Sequence, residues 1–325
     1  MEVKDLIKSK VSLAPMAGIT DYVLRSLVRK YSADALLTTE MISSEALTQV
    51  KDVVITKKDE NHSPISYQLS GHKPQMIAEC AKYLEKFADM VDINMGCPVR
   101  KVTGGNDGCA LMRNDRLAYD IVQAVKEKVN IPVSVKFRLG YTQNEMNFVE
   151  FGGWMQEAGA DFITIHGRTR NQMYGGKADW EKIAELKKAV DIPVFANGDV
   201  DSIESAEKCM ELSHADGVAV GRAAIGNPSL IYQIEHFFKT GERLPVPTVG
   251  EKIKDLKSHL DEEINLRGEK VGIKFVRKFY PFYINGVRNA AKYRSQLVLM
   301  DDYKEIVNAL NFIEKENSEK IQISV

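Results

Sequence analysis

Eight short apolar runs, separated by stretches with helical periodicity, constrain the fold of this chain more than any other feature. The runs are continuously apolar or β-branched rather than strictly alternating, which is typical of parallel strands buried on both faces. The predicted strands cover residues 11–17, 35–41, 64–70, 90–96, 132–140, 161–167, 193–199 and 217–223. Eight strand–helix units fill the length of a (β/α)8 TIM barrel, so we predict an α/β fold of that class. An open doubly wound sheet is the alternative, but no GxGxxG motif follows the first strand.

The alternation stops at the segment GERLPVPTVG, residues 241–250, whose prolines and glycines mark a linker. From about Glu251 the pattern is helical almost to the end of the chain. We therefore predict a barrel domain over residues 1–245 and a separate all-helical domain over residues 246–325.

The formal net charge is −1 at pH 7, so no global basic field would attract nucleic acid to this chain. Its four cysteines form no CxxC pair and its N-terminus lacks a secretory leader, which together predict a reducing, cytoplasmic location. No apolar run is long enough to span a membrane, so we expect no membrane partner. No HExxH-like motif is present, and we expect no metal site.

Candidate functional residues are concentrated at the carboxyl ends of the predicted strands, which converge on one mouth in a barrel. They are Met16, Gln68, Asn94, Lys136, Arg138, His166, Asn197, Asp199 and Arg222. The loops after the last two strands carry Asn197–Gly198–Asp199 and Gly221–Arg222, at the position where barrels commonly hold a phosphate. Glycine lets backbone N–H groups approach phosphate oxygens, and arginine adds a charge-assisted hydrogen bond. The alternative is two ordinary turns with a surface arginine.

Lys136 and His166 follow neighbouring strands and suit a redox cofactor. A cation beside the pyrimidine end of a flavin would stabilise the anionic reduced ring, and a histidine could hydrogen-bond a flavin or substrate carbonyl. The alternatives are a lysine paired with a barrel carboxylate and a structural histidine.

Cys97 sits between a glycine and a proline, where a strand ends and a glycine-rich loop begins. A packing cysteine belongs inside an element, whereas loops at strand ends concentrate function. Cys80, Cys109 and Cys209 lie in helical patterns, and we predict packing roles for them.

Several motifs, in this order and spacing, resemble those of the dihydrouridine synthases. They are APMAGITD, YQLSG, DINMGCPVRKVTGGNDGCALM, SVKFRLG, IHGRTRNQMYGGKADW, ANGDV and GVAVGRAAIGNP. The segment GIKFVRKFYPFYINGVRNAAKYR resembles the helical tail of the family, and in particular its B-type bacterial subgroup. The resemblance implies an FMN enzyme that reduces uridine in RNA to 5,6-dihydrouridine, with NADPH or NADH as the reductant and tRNA as the favoured RNA.

The resemblance also implies a role for individual residues. Those expected against the flavin are Pro15, Met16 and Ala17, with Gln68, Lys136 and His166 on its ring system and Asn197, Gly198, Asp199, Gly221 and Arg222 at its phosphate. Asn94 would contact the target base, with Arg138 beside it. Cys97 would donate a proton to uracil C5 while hydride reaches C6 from flavin N5, a role for which a thiol protonated at neutral pH is suited.

A local basic patch could hold the RNA of a neutral protein. Between Ile264 and Met300 eight basic residues are interleaved with six aromatic ones, and Glu269 is the single acid. Basic and aromatic side chains together suit phosphate contacts and base stacking. The residues predicted to contact RNA, here and in the HGRTR motif, are Arg168, Arg170, Arg277, Lys278 and Arg288. The alternative is a solvated basic face over an aromatic core, and we expect many of the aromatic residues to be core.

Two other functions remain open at this point. An FMN barrel could act on a free pyrimidine such as dihydroorotate, which activity on free bases would reveal. A barrel could also bind or fold RNA without catalysis, but the presence of Cys97 and Lys136 argues against that.

Overall fold

The computed structural model describes residues 2–50 and 62–318. Within them the strands, in chain order, are β1 Val11–Leu13, β2 Leu36–Thr38, β3 Ile42–Ser43, β4 Ile65–Ser70, β5 Met90–Met95, β6 Val133–Arg138, β7 Phe162–His166, β8 Val194–Asn197 and β9 Gly217–Val220.

All pairings between these strands are parallel, and they close into a barrel. Strand β1 pairs with β9 on one side and with β2 on the other, and β2 pairs in turn with β4. Eight strands therefore complete the ring, while the two-residue strand β3 only extends the edge of β4. The predicted TIM barrel is confirmed, and the eight predicted runs each contain one barrel strand.

Several strands end earlier than predicted. The run 11–17 leaves the sheet after Leu13, and the run 217–223 leaves it after Val220. Apart from Arg222, the remaining residues of both runs are small or apolar and were therefore predicted as strand, but they turn away to line the mouth of the barrel.

Helices surround the barrel and then follow it. They are α1 Val3–Leu6, α2 Tyr22–Tyr31, α3 Ser44–Gln49, α4 Pro74–Leu84, α5 Arg100–Thr103, α6 Asp115–Lys128, α7 Phe148–Glu157, α8 Trp180–Ala189, α9 Ile203–Ser213, α10 Leu230–Thr240, α11 Val249–Arg267, α12 Glu269–Val276, α13 Tyr280–Tyr283, α14 Ala290–Leu297 and α15 Tyr303–Ser318. Short 3-10 helices cover Gly108–Arg113, Arg222–Ala224 and Arg277–Phe279.

The first long helix after the barrel starts at a capping box encoded in the sequence TVGE. The Thr248 hydroxyl accepts from the N–H of Glu251, and the Glu251 carboxylate accepts from the N–H of Thr248. This reciprocal pair satisfies two N–H groups that would otherwise lack partners at a helix start. It explains why α11 begins directly after the proline-rich linker.

Register places one set of polar residues inside the barrel. Gln68 lies opposite Asp92, and Asp92 lies opposite Ser134, on three adjacent strands. Asn94 and Lys136 form the next inward pair, because successive side chains of a strand face opposite sides. The interior below the mouth is thus polar rather than filled by aliphatic residues.

The apolar core is divided between the barrel and the C-terminal helices. A large cluster fills the space between the barrel strands and their helices, and a second cluster joins α11 to the helices after it. The side chain of Met16, in the loop after β1, packs against both clusters. In the described residues after Val220 the structure has helices and no strand, while the domain boundary at residue 245 stays a prediction.

Polar contacts fasten the C-terminal helices to the start of the barrel. The Arg267 guanidinium lies 3.0 Å from the Asp21 carboxylate, and the Tyr31 hydroxyl donates to Asp255 over 2.7 Å. Among residues 2–50 and 62–318 no helix combines the length and apolarity that crossing a bilayer requires.

Candidate active site

A cavity of about 750 Å³ opens at the carboxyl ends of the barrel strands. This volume is within the range of small-molecule sites, which is roughly 300–1,000 Å³. Its lining includes Pro15, Met16, Ala17, Gln68, Asn94, Cys97, Lys136, Arg138, His166, Asn197, Gly198, Asp199, Gly221 and Arg222. The structure therefore brings every residue predicted at the flavin, the base and the proton donor into one cavity.

Lys136 is a half-buried cation at the floor of this cavity. Its ammonium donates to Asn197 Oδ1 over 2.9 Å, and the Asn197 amide in turn donates to the carbonyl of Ala219 over 2.8 Å. Burial lowers the pKa of Lys136 to about 8. In the described part of the chain no carboxylate lies within 4.0 Å of the ammonium, so the alternative of a direct ion pair is not observed. Because Lys136 has no carboxylate partner there, its positive charge is available to an anionic ligand.

Beside it, a chain of side-chain hydrogen bonds leads from the barrel interior to the turn that carries Cys97. Gln68 Nε2 donates to Asp92 over 2.6 Å, and Asn94 Nδ2 donates to Gln68 Oε1 over 2.8 Å. Asn94 Oδ1 accepts from the N–H of Gly96 at 3.2 Å and of Cys97 at 2.9 Å. The amide of Asn94 thus fixes the backbone of this turn.

Arg138 holds the same turn from the other side. Its Nε donates to the carbonyl of Gly96 over 2.9 Å, and its Nη1 donates to the carbonyls of Thr169 and Met173. The guanidinium is buried and joins two loops of the mouth. Its positive charge also lies close enough to oppose the rise in the Cys97 pKa.

The Cys97 thiol is half-buried, whereas the other three cysteines are buried in helices, which confirms their predicted packing roles. Burial raises the pKa of Cys97, and the N–H of Val99 and the cations Arg138 and Lys136 only partly oppose this. The thiol is therefore protonated at neutral pH, as a proton donor requires.

His166 is buried and neutral at the cavity wall. Burial, with the nearby cations, holds its pKa well below the ordinary value of 6.5. The Nη1 of Arg168 lies 3.3 Å from His166 Nε2, and because arginine can only donate, Nε2 accepts and Nδ1 carries the proton. A Cβ at Gly198 would lie 2.8 Å from the His166 ring, so only glycine fits beside it.

Arg168 is 2% exposed and does not line the cavity. Its Nη2 donates to both oxygens of Asp199, at 2.8 and 2.6 Å, and to the carbonyl of Gly176 at 2.8 Å. This geometry favours a positioning role under the loop at 170–176, and the predicted contact of Arg168 with RNA stays a prediction.

The predicted phosphate position is open on the cavity side. The built Cβ of Gly221 has no neighbour closer than 3.9 Å, so the backbone there faces the cavity. The side chain of Arg222 is 57% exposed, and its nearest carboxylate oxygen is Asp199 Oδ1 at 3.7 Å. Asp199 is neutralised by Arg168, which leaves Arg222 available to an anion.

These features together fit FMN. The ammonium of Lys136 at the cavity floor suits the ring system of a reduced flavin, and the glycine-lined opening beside Arg222 suits its phosphate. The cavity between them is continuous.

Two of the cations predicted to contact RNA are engaged within the protein. Arg277 donates to Asp301 over 2.7 Å. The Lys278 ammonium donates to the carbonyl of Gly18 and lies 3.3 Å from the centroid of the Phe275 ring. Both residues join segments of the fold, so their contact with RNA stays a prediction.

The remaining two cations lie nearer to solvent. Arg288 is exposed on the C-terminal helices, and Arg170 is half-buried with its guanidinium 5.1 Å from the centroid of the Tyr141 ring. Four of the six aromatic residues in this region are buried, as expected for a core: Phe279, Tyr280, Tyr283 and Tyr293.

Sequence reasoning missed several lining residues. Phe282, from α13, is 39% exposed and reaches the cavity from the C-terminal helices. Tyr174 is 52% exposed and lies between the guanidinium groups of Arg138 and Arg222, at 5.6 and 5.2 Å. The motif QMYGG could have indicated Tyr174, because an aromatic residue beside two glycines in a loop at the mouth is not needed for packing.

A closed parallel barrel with a half-buried lysine, a protonated thiol and a cofactor-sized cavity at one mouth defines a (β/α)8-barrel enzyme. Residues 12–321 match the model of the dihydrouridine synthase (Dus) family. The chain therefore belongs to the dihydrouridine synthase family, and the resemblance seen in its motifs is confirmed.

Three relatives are similar in sequence to this chain over most of its length. It is 42% identical over 92% of its length to "Probable tRNA-dihydrouridine synthase 1" of Synechocystis, of which 84% is covered. It is 39% identical over 91% of its length to "Probable tRNA-dihydrouridine synthase" of Rickettsia conorii, of which 90% is covered. It is 38% identical over 91% of its length to "tRNA-dihydrouridine synthase B" of Pseudomonas aeruginosa, of which 90% is covered.

Solved structures share the fold. A variant of NCR from Zymomonas mobilis superposes with a TM-score of 0.50 at 17% identity, covering 72% of this chain and 88% of that one. A 2-naphthoyl-CoA reductase complex gives 0.53 at 11% identity, covering 69% and 49%. At these identities the likeness extends to the barrel alone.

Proposed function

We propose that this protein is an FMN-dependent enzyme that reduces uridine in RNA, with tRNA as the favoured substrate, to 5,6-dihydrouridine using NADPH. The observation that carries the proposal is the single cavity in which Lys136, Asn94 and Cys97 meet. Membership of the family and the names of its relatives support the reaction and the RNA substrate.

The residues that would hold FMN are those of the floor and the phosphate side of the cavity. Pro15, Met16 and Ala17 would lie against it, with Gln68, Lys136 and His166 at its rings and Asn197, Gly198, Asp199, Gly221 and Arg222 toward its phosphate. When bound and reduced by NADPH, FMN would supply hydride to C6 of the uracil. Since Lys136 has no carboxylate partner within 4.0 Å in the described residues, its charge is available to the cofactor.

Cys97 completes the reaction by giving its thiol proton to uracil C5. Its raised pKa keeps the proton on sulfur until a strong base forms at that carbon. Asn94 and Arg138 both bond the turn that carries Cys97, so they hold the thiol at a fixed place in the cavity wall. Asn94 would also contact the base, with Arg138 beside it.

A uridine stacked inside folded RNA cannot reach the floor of a barrel cavity, so it must be flipped out or already unstacked. Tyr174 and Phe282 lie at the rim and offer aromatic faces to a base that enters. The C-terminal helices that bring Phe282 to the cavity would bind the RNA around the target uridine.

The test begins with the visible absorption spectrum of the purified protein. A flavin spectrum that bleaches when NADPH is added without oxygen, followed by a mass increase of about 2 Da in uridine of unmodified tRNA, is the expected result (two hydrogen atoms added). A colourless protein that takes up no FMN would overturn the reductase and leave an RNA-binding role. Reduction of free pyrimidines without RNA activity would instead favour a small-molecule enzyme.

A further inference from the structure

Asp92 is a buried carboxylate that lies one layer below the cavity and does not line it. It accepts from Gln68 Nε2 at 2.6 Å and from Ser134 Oγ at 2.6 Å. Burial raises its pKa, while these two donors and the charge of Lys136 act in the opposite direction. An acidic group in the barrel interior needs a reason to be there, because burying a carboxylate is costly.

The reason lies in how a carboxyl group whose two oxygens both accept hydrogen bonds orients the amides above it. A carboxylate only accepts hydrogen bonds, so Gln68 must turn its NH2 group toward Asp92. The oxygen of Gln68 then faces Asn94, which must donate its own NH2 group. Only in this orientation does Asn94 present its oxygen to the N–H groups of Gly96 and Cys97.

The opposite orientation of the two amides would be unfavourable where Asn94 meets the turn. If Gln68 were reversed, its NH2 group would face Asn94, and Asn94 would turn its NH2 group toward two backbone donors. A donor facing a donor leaves buried polar groups unsatisfied, which is costly. The amides themselves are nearly symmetric in shape, so the groups at the two ends select this orientation together: the carboxylate of Asp92 at one end and the N–H groups of Gly96 and Cys97 at the other.

We propose that Asp92 is a positioning residue that, through Gln68 and Asn94, sets the conformation of the turn carrying Cys97. It acts at a distance on the proton donor and touches neither substrate nor cofactor. The inference deepens the proposed function and rests on its assignment of Cys97.

The thiol itself provides a readout that is independent of turnover. Cys97 is the half-buried cysteine of the four, so iodoacetamide applied to the full-length protein as isolated reports on this turn, with the modified peptide verified by mass spectrometry. A turn that loses its hydrogen bonds exposes the thiol, which then alkylates faster and with its pH midpoint moved downward.

Two variants interrupt the series of hydrogen bonds that runs from Asp92 through Gln68 to Asn94, each at a different residue. Asp92→Leu removes the carboxylate, and Gln68→Met removes the amide while leaving the carboxylate in place. Each should raise the alkylation rate about fivefold, the change expected for one lost hydrogen bond. The double variant should be no faster than either single one, because both cut the same chain. The control is Ser134→Ala, which keeps the carboxylate and its bond to Gln68 and should leave the rate within about twofold.

An unchanged rate in a folded Asp92→Leu or in Gln68→Met, or effects of the two substitutions that multiply in the double variant, would overturn the proposal. If Asp92→Leu fails to fold, Gln68→Met against Ser134→Ala still decides it. A wild type that alkylates as described but forms no dihydrouridine would count against the proposed function alone, so the two failures are distinguishable.

Discussion

Replacing Lys136 by methionine should change how the stability of the protein depends on pH. Burial lowers the pKa of this lysine from 10.5 to about 8. Over that window the unfolded chain binds a proton that the folded one does not, so the free energy of unfolding of the wild type rises with pH. The side chain of methionine has a similar length but does not titrate, so Lys136→Met removes this pH-dependent contribution.

The magnitude follows from the two pKa values. Holding the lysine charged in the folded protein at pH 7 costs about 3 kcal/mol. By pH 10 most of that cost has vanished, so the wild type should gain on the order of 2 to 3 kcal/mol relative to Lys136→Met between pH 7 and pH 10. The lost hydrogen bond to Asn197 shifts the difference by a constant at each pH and leaves its slope unaffected.

Urea unfolding of the cofactor-free proteins, measured at several pH values, gives this difference directly. The matched control is Lys177→Met, the same chemical change at an exposed lysine, for which the difference from wild type should stay flat. A flat difference for Lys136→Met, or one that slopes the other way, would refute the claim that Lys136 is a desolvated cation.

Three further predictions concern the thiol, the rim and the attachment of the C-terminal helices. Cys97→Ala should lower dihydrouridine formation about 100-fold or more while flavin reduction by NADPH stays within about twofold, as stopped-flow absorbance and mass spectrometry of the RNA would measure; unchanged product formation would remove the proton-donor role. Phe282→Ala should raise the KM for RNA about tenfold through the loss of one stacking contact, whereas Phe312→Ala, at an exposed position outside the cavity lining, should not. Gly226→Ala would place a Cβ 2.5 Å from the backbone of Phe282 and should therefore lower the free energy of unfolding. The control is Gly241→Ala, where φ is similarly positive but the space is open, and Gly226→Ala should cost at least about 1 kcal/mol more. Equal losses in the two variants would show that the contact between Gly226 and Phe282 is unimportant.

The sequence predicted the barrel well because parallel strands buried on both faces leave a strong local signal. The predicted strand ends were less accurate, since most residues after Leu13 and Val220, Arg222 excepted, have the same small or apolar character whether they continue a strand or line a cavity. The cavity residues were predictable because the topology of a barrel brings every carboxyl strand end to one mouth.

Side-chain direction was harder to predict. The contact of Arg168 with RNA stays a prediction, but the position of its guanidinium on Asp199 beneath a loop was not predicted, because nothing in the local sequence indicates that ion pair. Asp92 opens the motif DINMGCPVRKVTGGNDGCALM, but no role was predicted for it, because a single acid in an apolar run gives no sign of its hydrogen-bond partners. Its importance depends on Gln68, which is 24 residues away along the chain and lies opposite it only through strand register.

The loop after β1 contacts both the barrel core and the C-terminal helices. Met16 packs against both apolar clusters, and the carbonyl of Gly18 accepts from Lys278 of the C-terminal helices. A ligand that orders this loop must therefore strengthen the docking of those helices, and detaching them must weaken the ligand by the same factor. Cofactor binding and RNA binding would then be thermodynamically linked. A protein lacking its C-terminal helices would lose affinity for the cofactor, although those helices need not touch it.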